Sequence, residues 1–336
     1  MEIGVIGGGS WGTALAKLLA DQGHEVKMWV HEPALVERIN KTHENSTYLP
    51  GAKLPKNLVA TNVMKEAVSG KEMIVSVPPS HVLRSVLEQA VDHLPEGVPI
   101  VSATKGIENE TLLLISGIFE DVLPSKYHPF LCYLSGPSFA REVAEQKPTA
   151  VTIASYNHQL AVKMQKVFSC DFFRAYTSND VIGVEVGGAL KNVIAIASGA
   201  VSGMELGLNA SAGMITRGLN EITRVAVRMG ANPLTLTGLA GMGDLVLTCT
   251  GGLSRNRTVG LKLGQGMTID EILDEMQMVA EGIKTSKSTY HLAQKMGVEM
   301  PISEQVYQVI YESKSAHQAV KDLMARQLKP EMGGWM

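Results

Sequence analysis

A chain of 336 residues is longer than one hydrophobic core usually serves, so two domains are expected. With 45% hydrophobic and 19% charged residues and a net charge of −3, it reads as an ordinary globular protein without the broad basic field of a nucleic-acid partner, and only a local basic pocket for one phosphate fits. Cys132, Cys170 and Cys249 are far apart, with no CxxC pair and no HExxH among the nine histidines, which argues against a disulfide framework or a metal site and fits a reducing, cytoplasmic location.

Glu2–Ile6 reads as a buried strand from the outset, which leaves no room for a signal peptide. Gly7-Gly8-Gly9-Ser10-Trp11-Gly12 follows at once. Ala14, Leu15, Leu18 and Leu19 then share one helical face, and Gly23 is the expected C-cap. Glu25–Val30 is the second strand, which completes a βαβ unit. Further strands are expected at Met73–Val77, Pro99–Ser102, Leu131–Leu134 and Ala150–Ile153, with helical patterns between several of them. The alternation predicts an α/β fold whose N-terminal part is a doubly wound, mostly parallel Rossmann sheet. Its strand ends at Pro78-Pro79, Thr104-Lys105-Gly106 and Ser135-Gly136-Pro137-Ser138 are candidate walls of a ligand site.

Beyond about residue 180 the pattern turns to helices: Val181–Val201, Ala210–Met229, Thr268–Met278, Thr285–Met296 and Ser303–Tyr311. The last six residues, EMGGWM, read as a frayed tail. The expected division is a dinucleotide-binding domain over 1–178 and an all-helical substrate domain over 181–336. The longest apolar stretch, Val193–Val201, falls short of the ~20 residues that cross a bilayer, so no membrane span is expected.

Gly7-x-Gly9-x-x-Gly12 has the spacing of a dinucleotide turn. Gly7 permits the tight bend, Gly9 clears the approach of a pyrophosphate, and Gly12 lets the helix pack on the strand, while the helix N-terminus faces the phosphates. The preceding strand and following helix supply the context that makes the hexapeptide informative. Ser10 is placed to donate to a phosphate oxygen. Trp11 either packs on the cofactor or fills core. At the end of the second strand, His31 favours a 2′-phosphate and Glu32 a free ribose, so NADPH, NADH or both are admitted; a solvated loop pair is the alternative.

In the helical part, Gly187 and Gly188 lie on the same face as Lys191, and two adjacent glycines in a helix interior cost about 1 kcal/mol each relative to alanine. Lys191 among small apolar neighbours reads as a buried acid–base group, with desolvation favouring its neutral form, or as a lysine snorkelling from a core helix. Gly241 and Gly243 bracket the approach to Asp244. Ser254-Arg255-Asn256 reads as a phosphate clamp in a glycine-flanked loop or as a solvated turn. Val279-Ala280-Glu281-Gly282 precedes another helix, which Glu281 either caps or leaves to reach a cofactor. These residues describe a nicotinamide enzyme with a candidate lysine acid and an anion clamp; spacing alone does not identify the substrate.

At these residues the chain resembles the bacterial NAD(P)-dependent glycerol-3-phosphate dehydrogenase family over nearly its whole length: GGGSWGTALA at 7–16, ATKGIE at 103–108, LSGPSFA at 134–140, IGVEVGGALKNVIAIASG at 182–199, GMGDLVLTCT at 241–250, SRNRTVG at 254–260 and VAEGIKT at 279–285. The resemblance implies reversible reduction of dihydroxyacetone phosphate to sn-glycerol 3-phosphate with NADPH or NADH, supplying phospholipid synthesis. It implies that Lys191 is the proton acceptor, and that Lys105, Gly136, Ser138, Lys191, Asp244, Ser254, Arg255 and Asn256 bind substrate. Ser10, Trp11, His31, Lys105, Ala140, Arg255, Val279 and Glu281 match cofactor positions and join Gly7, Gly9 and Gly12. Asp244 would orient Lys191, and a cleft between the domains would exclude water. A homodimer is expected, because many apolar helices need covering. The rivals are a 3-hydroxyacid or 6-phosphogluconate-type dehydrogenase, which the long motif set opposes, and a cofactor-sensing regulator, which would not need Lys191.

Overall fold

The computed structural model describes residues 1–276 and 280–331. The chain forms two compact units, Met1–Lys105 with Ile115–Val181, and Gly106–Leu114 with the chain from Ile182 on. The short excursion joins the second unit through Ile107 and Leu114, both buried in its core.

The first unit is built on eight strands: β1 (Glu2–Ile6), β2 (Glu25–Trp29), β3 (Leu58–Thr61), β4 (Met73–Ser76), β5 (Ile100–Ser102), β6 (Leu131–Ser135), β7 (Thr149–Ala154) and β8 (Phe173–Ser178). Helices α1 (Ser10–Asp21), α2 (Pro33–Thr42), α3 (Met64–Val68), α4 (Leu83–Ala90), α5 (Ile115–Val122), α6 (Ala140–Ala144) and α7 (His158–Phe168) connect them. The sheet order is β3-β2-β1-β4-β5-β6-β7-β8, and every neighbouring pair is parallel except β6 and β7. The central strands are apolar on both faces, as a sheet covered on both sides requires: Ile3, Val5, Met73, Ile74, Val75 and Val101 are fully buried. The expected Rossmann sheet is therefore present.

Two strands escape the sequence reading, β3 and β8, and both are edge strands. In β8, buried Phe173 and Ala175 alternate with exposed Arg174 and Tyr176, a period-2 signal only four residues long, too brief to stand out beside the continuous apolar runs.

The second unit is helical: α8 (Val181–Gly203), α9 (Gly207–Arg228), α10 (Asp244–Thr250), α11 (Arg255–Gly264), α12 (Ile269–Asp274), α13 (Glu281–Met296), α14 (Pro301–Tyr311) and α15 (Ala316–Met324). The helix expected at Thr268–Met278 is seen as α12, capped by a reciprocal Thr268–Glu271 box; Gln277, Met278 and the tail from Met332 on lie outside the described residues. The helix expected at Val181–Val201 is present as α8, which runs two residues further and contains the apolar stretch Val193–Val201. α8 is 23 residues long and holds an 18-residue stretch of mean hydropathy 1.5, the length and composition to cross a membrane, yet 94% of that stretch is buried within the protein, the position of a core helix.

One buried carboxylate ties this unit together. Glu221 on α9 is 2% exposed and accepts hydrogen bonds from the backbone N–H of Ile302 (2.6 Å) and Ser303 (3.1 Å) and from the Ser303 hydroxyl (3.0 Å). It thus caps α14 from a distant helix, doing what a local N-cap side chain would do. Burial pushes the Glu221 carboxyl up to about 7, against the opposing pull of these donors and of Arg224. A folded value above the ordinary 4.5 means the native state binds the extra proton, so this contribution is full below about pH 4.5 and is lost as pH rises through about 7; the whole effect is on the order of 3 kcal/mol. Glu221→Gln, which mimics the protonated form, should melt close to the parent at pH 4.5 and above it at pH 8. Parallel pH profiles of Tm for the two proteins would show that Glu221 does not titrate in this window.

Candidate active site

Four neighbouring parallel strands, β1, β4, β5 and β6, deliver their C-terminal loops to one end of the sheet. The loops are stitched together. Gly7, at φ +116°, lies so close to the loop after β4 that a Cβ would stand 3.0 Å from the Val77 carbonyl. The Thr104 hydroxyl donates to the Pro78 carbonyl at 2.8 Å. The Lys105 ammonium and the Ser138 hydroxyl both donate to the Gly136 carbonyl, at 3.2 and 3.0 Å. Lys105, Gly136 and Ser138 therefore form one cluster, and Ala140 opens α6 immediately beyond it. Chain order reverses between β1 and β4, the switch point at which open sheets of this kind bind ligands.

The glycine turn has the shape that a dinucleotide needs. A Cβ at Gly12 would meet the Gly7 carbonyl oxygen at 1.9 Å, so only glycine lets α1 approach the turn. A Cβ at Gly9 would meet nothing within 4 Å, so that position faces open space. Gly9 is also the N-cap of α1, and no side chain caps the helix there, which leaves its first-turn N–H groups facing the same space. The indole Nε1 of Trp11 is buried with no hydrogen-bond partner, while its ring packs against the core of the sheet. The residues present thus fit a nicotinamide dinucleotide. The Ser10 hydroxyl donates to the Tyr48 carbonyl at 2.5 Å. His31 is exposed just past β2, its ring 6.0 Å from that of Trp29.

In the helical unit, Lys191 is buried on α8. Its ammonium donates to Asp244 Oδ1 at 2.6 Å and to the Thr248 hydroxyl at 2.9 Å. Asp244 is 1% exposed and is the first residue of α10, reached through a wide π-type turn over Leu239–Gly243. That turn presses on α8 where a Cβ at Gly187 would meet the Ala240 carbonyl oxygen at 2.5 Å. The glycine expected to clear room beside the ammonium therefore makes room for the backbone that delivers its counterion. The carboxylate compensates the charge of the buried ammonium.

Ser254-Arg255-Asn256, read as a glycine-flanked loop, is instead the start of α11. Ser254 is the N-cap, its hydroxyl accepting from the Arg257 N–H at 3.2 Å. Asn256 is buried; its amide donates to Asn192 Oδ1 and its Oδ1 accepts from the Gly282 N–H, both at 2.9 Å. Arg255 is exposed at the first turn of a helix whose N-terminus attracts anions. Glu281 is the first residue of α13, one position before that Gly282; Val279 lies outside the described residues. Thr248 and Asn192 were missed. Thr248 was legible as the residue four after Asp244 on the same helical face, whereas the Asn192–Asn256 contact spans 64 residues and has no spacing signature. No cluster with metal-ligating composition occurs among the described residues.

Two family models match the chain: the NAD-dependent glycerol-3-phosphate dehydrogenase N-terminus over residues 2–161 and the corresponding C-terminus over residues 180–321. The chain is 55% identical over 330 residues to glycerol-3-phosphate dehydrogenase [NAD(P)+] of Citrifermentans bemidjiense, covering 98% of each. It is also 55% identical over 334 residues to the protein of that name from Myxococcus xanthus, covering 99% of this chain and 100% of the relative. Its structure is similar to the crystal structure of glycerol-3-phosphate dehydrogenase from Coxiella burnetii, with a TM-score of 0.92 and 38% identity over 97% of this chain and 99% of the other.

Proposed function

The chain belongs to the NAD-dependent glycerol-3-phosphate dehydrogenase family, and from that premise we propose that it reversibly reduces dihydroxyacetone phosphate to sn-glycerol 3-phosphate with NADPH or NADH. The observation that carries this reading is the buried Lys191 ammonium held by Asp244 and Thr248. A ketone becoming an alcohol accumulates negative charge on its oxygen, and a fixed ammonium is the group to answer it.

The glycine turn, Trp11 and His31 would hold the dinucleotide, joined by Ala140, Val279 and Glu281. When bound, the reduced nicotinamide supplies the hydride that reaches C2 of the ketone. Lys191 gives its proton to the C2 oxygen as that charge develops and recovers one from solvent; in the oxidative direction the neutral amine takes the hydroxyl proton. Asp244 fixes the direction of the N–H bonds, and Thr248 steadies the ammonium by accepting from Lys191 while its own hydroxyl donates to the backbone carbonyl of Asp244 at 2.6 Å. Lys105, Gly136 and Ser138 are assigned to the substrate on the sheet unit. Arg255 with the free N–H groups of α11 is assigned to its phosphate. The product is the backbone of glycerophospholipids, so the reading includes a supply role in phospholipid synthesis. A cytoplasmic setting is supported by three free thiols, and a homodimer by exposed apolar side chains such as Leu208 and Leu234.

Lys191→Ala should lose at least about 10²-fold in kcat while retaining cofactor binding, read by NADPH fluorescence; near-parental turnover would remove Lys191 from the chemistry. Arg255→Ala should raise the KM for dihydroxyacetone phosphate at least about tenfold, the worth of a charge-assisted contact, with Arg255→Lys only a partial rescue. Unphosphorylated dihydroxyacetone is the control: the substitution should cost little further activity there. Equal impairment on both ketones would assign Arg255 to the cofactor or the fold.

A further inference from the structure

Beside the glycine turn, the loop following α2 is fastened by a set of hydrogen bonds to that turn. Asn45 is fully buried. Its amide donates to the Gly8 carbonyl and the Thr13 hydroxyl, both at 2.8 Å, and its Oδ1 accepts from the Tyr48 N–H at 3.1 Å. The Ser10 hydroxyl holds the Tyr48 carbonyl at 2.5 Å. Tyr48 is thus tied to the turn that would carry the pyrophosphate directly through its carbonyl and, by way of Asn45, through its N–H. Its side chain reaches the residue after His31, and the hydroxyl donates to Glu32 Oε1 at 2.7 Å.

Glu32 stands where dinucleotide folds place the acidic residue that accepts from a ribose 2′-hydroxyl and repels a 2′-phosphate. Here that carboxylate is the N-cap residue of α2 but makes no capping bond of its own; the tyrosine holds it. Resting on the dinucleotide reading of the glycine turn, we infer that Tyr48 governs the choice between NADPH and NADH by holding the Glu32 carboxylate away from the ribose. With Tyr48 in place, a 2′-phosphate is admitted beside His31. Without its hydroxyl, Glu32 is free to turn inward, favouring the ribose of NADH and repelling the phosphate of NADPH. The carboxylate and partial burial raise the Tyr48 phenol above its ordinary value of 10.0, so it remains a donor throughout the neutral range.

The test is a double-mutant cycle read by binding. Dissociation constants for NADPH and NADH are measured by calorimetry, without substrate, for the parent, Tyr48→Phe, Glu32→Gln and the double variant, with Tm as the check on folding. Tyr48→Phe should move the ratio of the two constants toward NADH by at least about fivefold, the size of one partly screened charge contact. Glu32→Gln should move it toward NADPH, and Tyr48→Phe should add nothing in that background. An unmoved ratio in Tyr48→Phe, an equal weakening of both cofactors, or the same shift with and without Glu32 would each overturn the inference. If the parent itself binds neither dinucleotide, the dinucleotide reading falls instead.

Discussion

A buried ammonium survives only beside a group that answers its charge, and the Lys191–Asp244 pair sets that condition for the helical unit. Taking both ions out of water costs several kcal/mol per ion, and deleting one partner of such a pair typically costs about 3–5 kcal/mol because the other is stranded. The surrounding backbone is arranged to meet the cost. Gly187 lets the π-type turn lie against α8, the turn delivers Asp244 as the first residue of α10, and a carboxylate at a helix N-terminus is favoured by the peptide dipoles. Thr248, one helical turn on, fills remaining hydrogen-bonding capacity. π-type irregularities recur at functional sites because they re-aim a side chain without breaking the helix, and here the re-aimed side chain is Asp244.

The sheet unit meets a different constraint with different means. Its candidate residues present mainly backbone groups, small side chains and one lysine at the ends of parallel strands, so their positions depend on how tightly the strand-end loops hold each other. The contacts from Gly7 to Val77, Thr104 to Pro78 and Lys105 to Gly136 link the loops after β1, β4, β5 and β6 in spatial order. Loops that hold one another in this way stay close to the rigid sheet that positions them.

What the sequence reveals divides along the range of the interactions. The glycine turn, the central strands and the long helices α8, α9 and α13 were legible because each is a local pattern: Gly7, Gly9 and Gly12 within six residues, or continuous apolar runs from Met73 and Leu131. Lys191 and Asp244 were recognisable as unusual residues in their own segments and through family resemblance. Their contact across 53 residues was not legible in spacing. The same holds for Glu221 capping a helix 81 residues away and for Tyr48 reaching back to Glu32. A hydrogen bond between distant segments leaves no periodicity in either one, so polar contacts that depend on tertiary folding stay hidden until the fold is known.

The Ser254-Arg255-Asn256 cluster carries such tertiary contacts inside a segment read from composition. Three donor-bearing side chains in a row looked like three parts of one clamp. Folded, they divide the work. Ser254 spends its acceptor on the helix cap. Asn256 uses both ends of its amide to fasten α8 to the start of α13, bracing Asn192, the neighbour of Lys191. Arg255 alone is exposed on the first turn with its guanidinium turned to no partner among the described residues. The positive charge available to an anion there therefore comes from one side chain and from the helix terminus, with the other two residues fixing where that terminus stands. A substitution at Asn256 would consequently act on the geometry around Lys191, and one at Arg255 on the charge at the start of α11, although the two residues are adjacent in the chain.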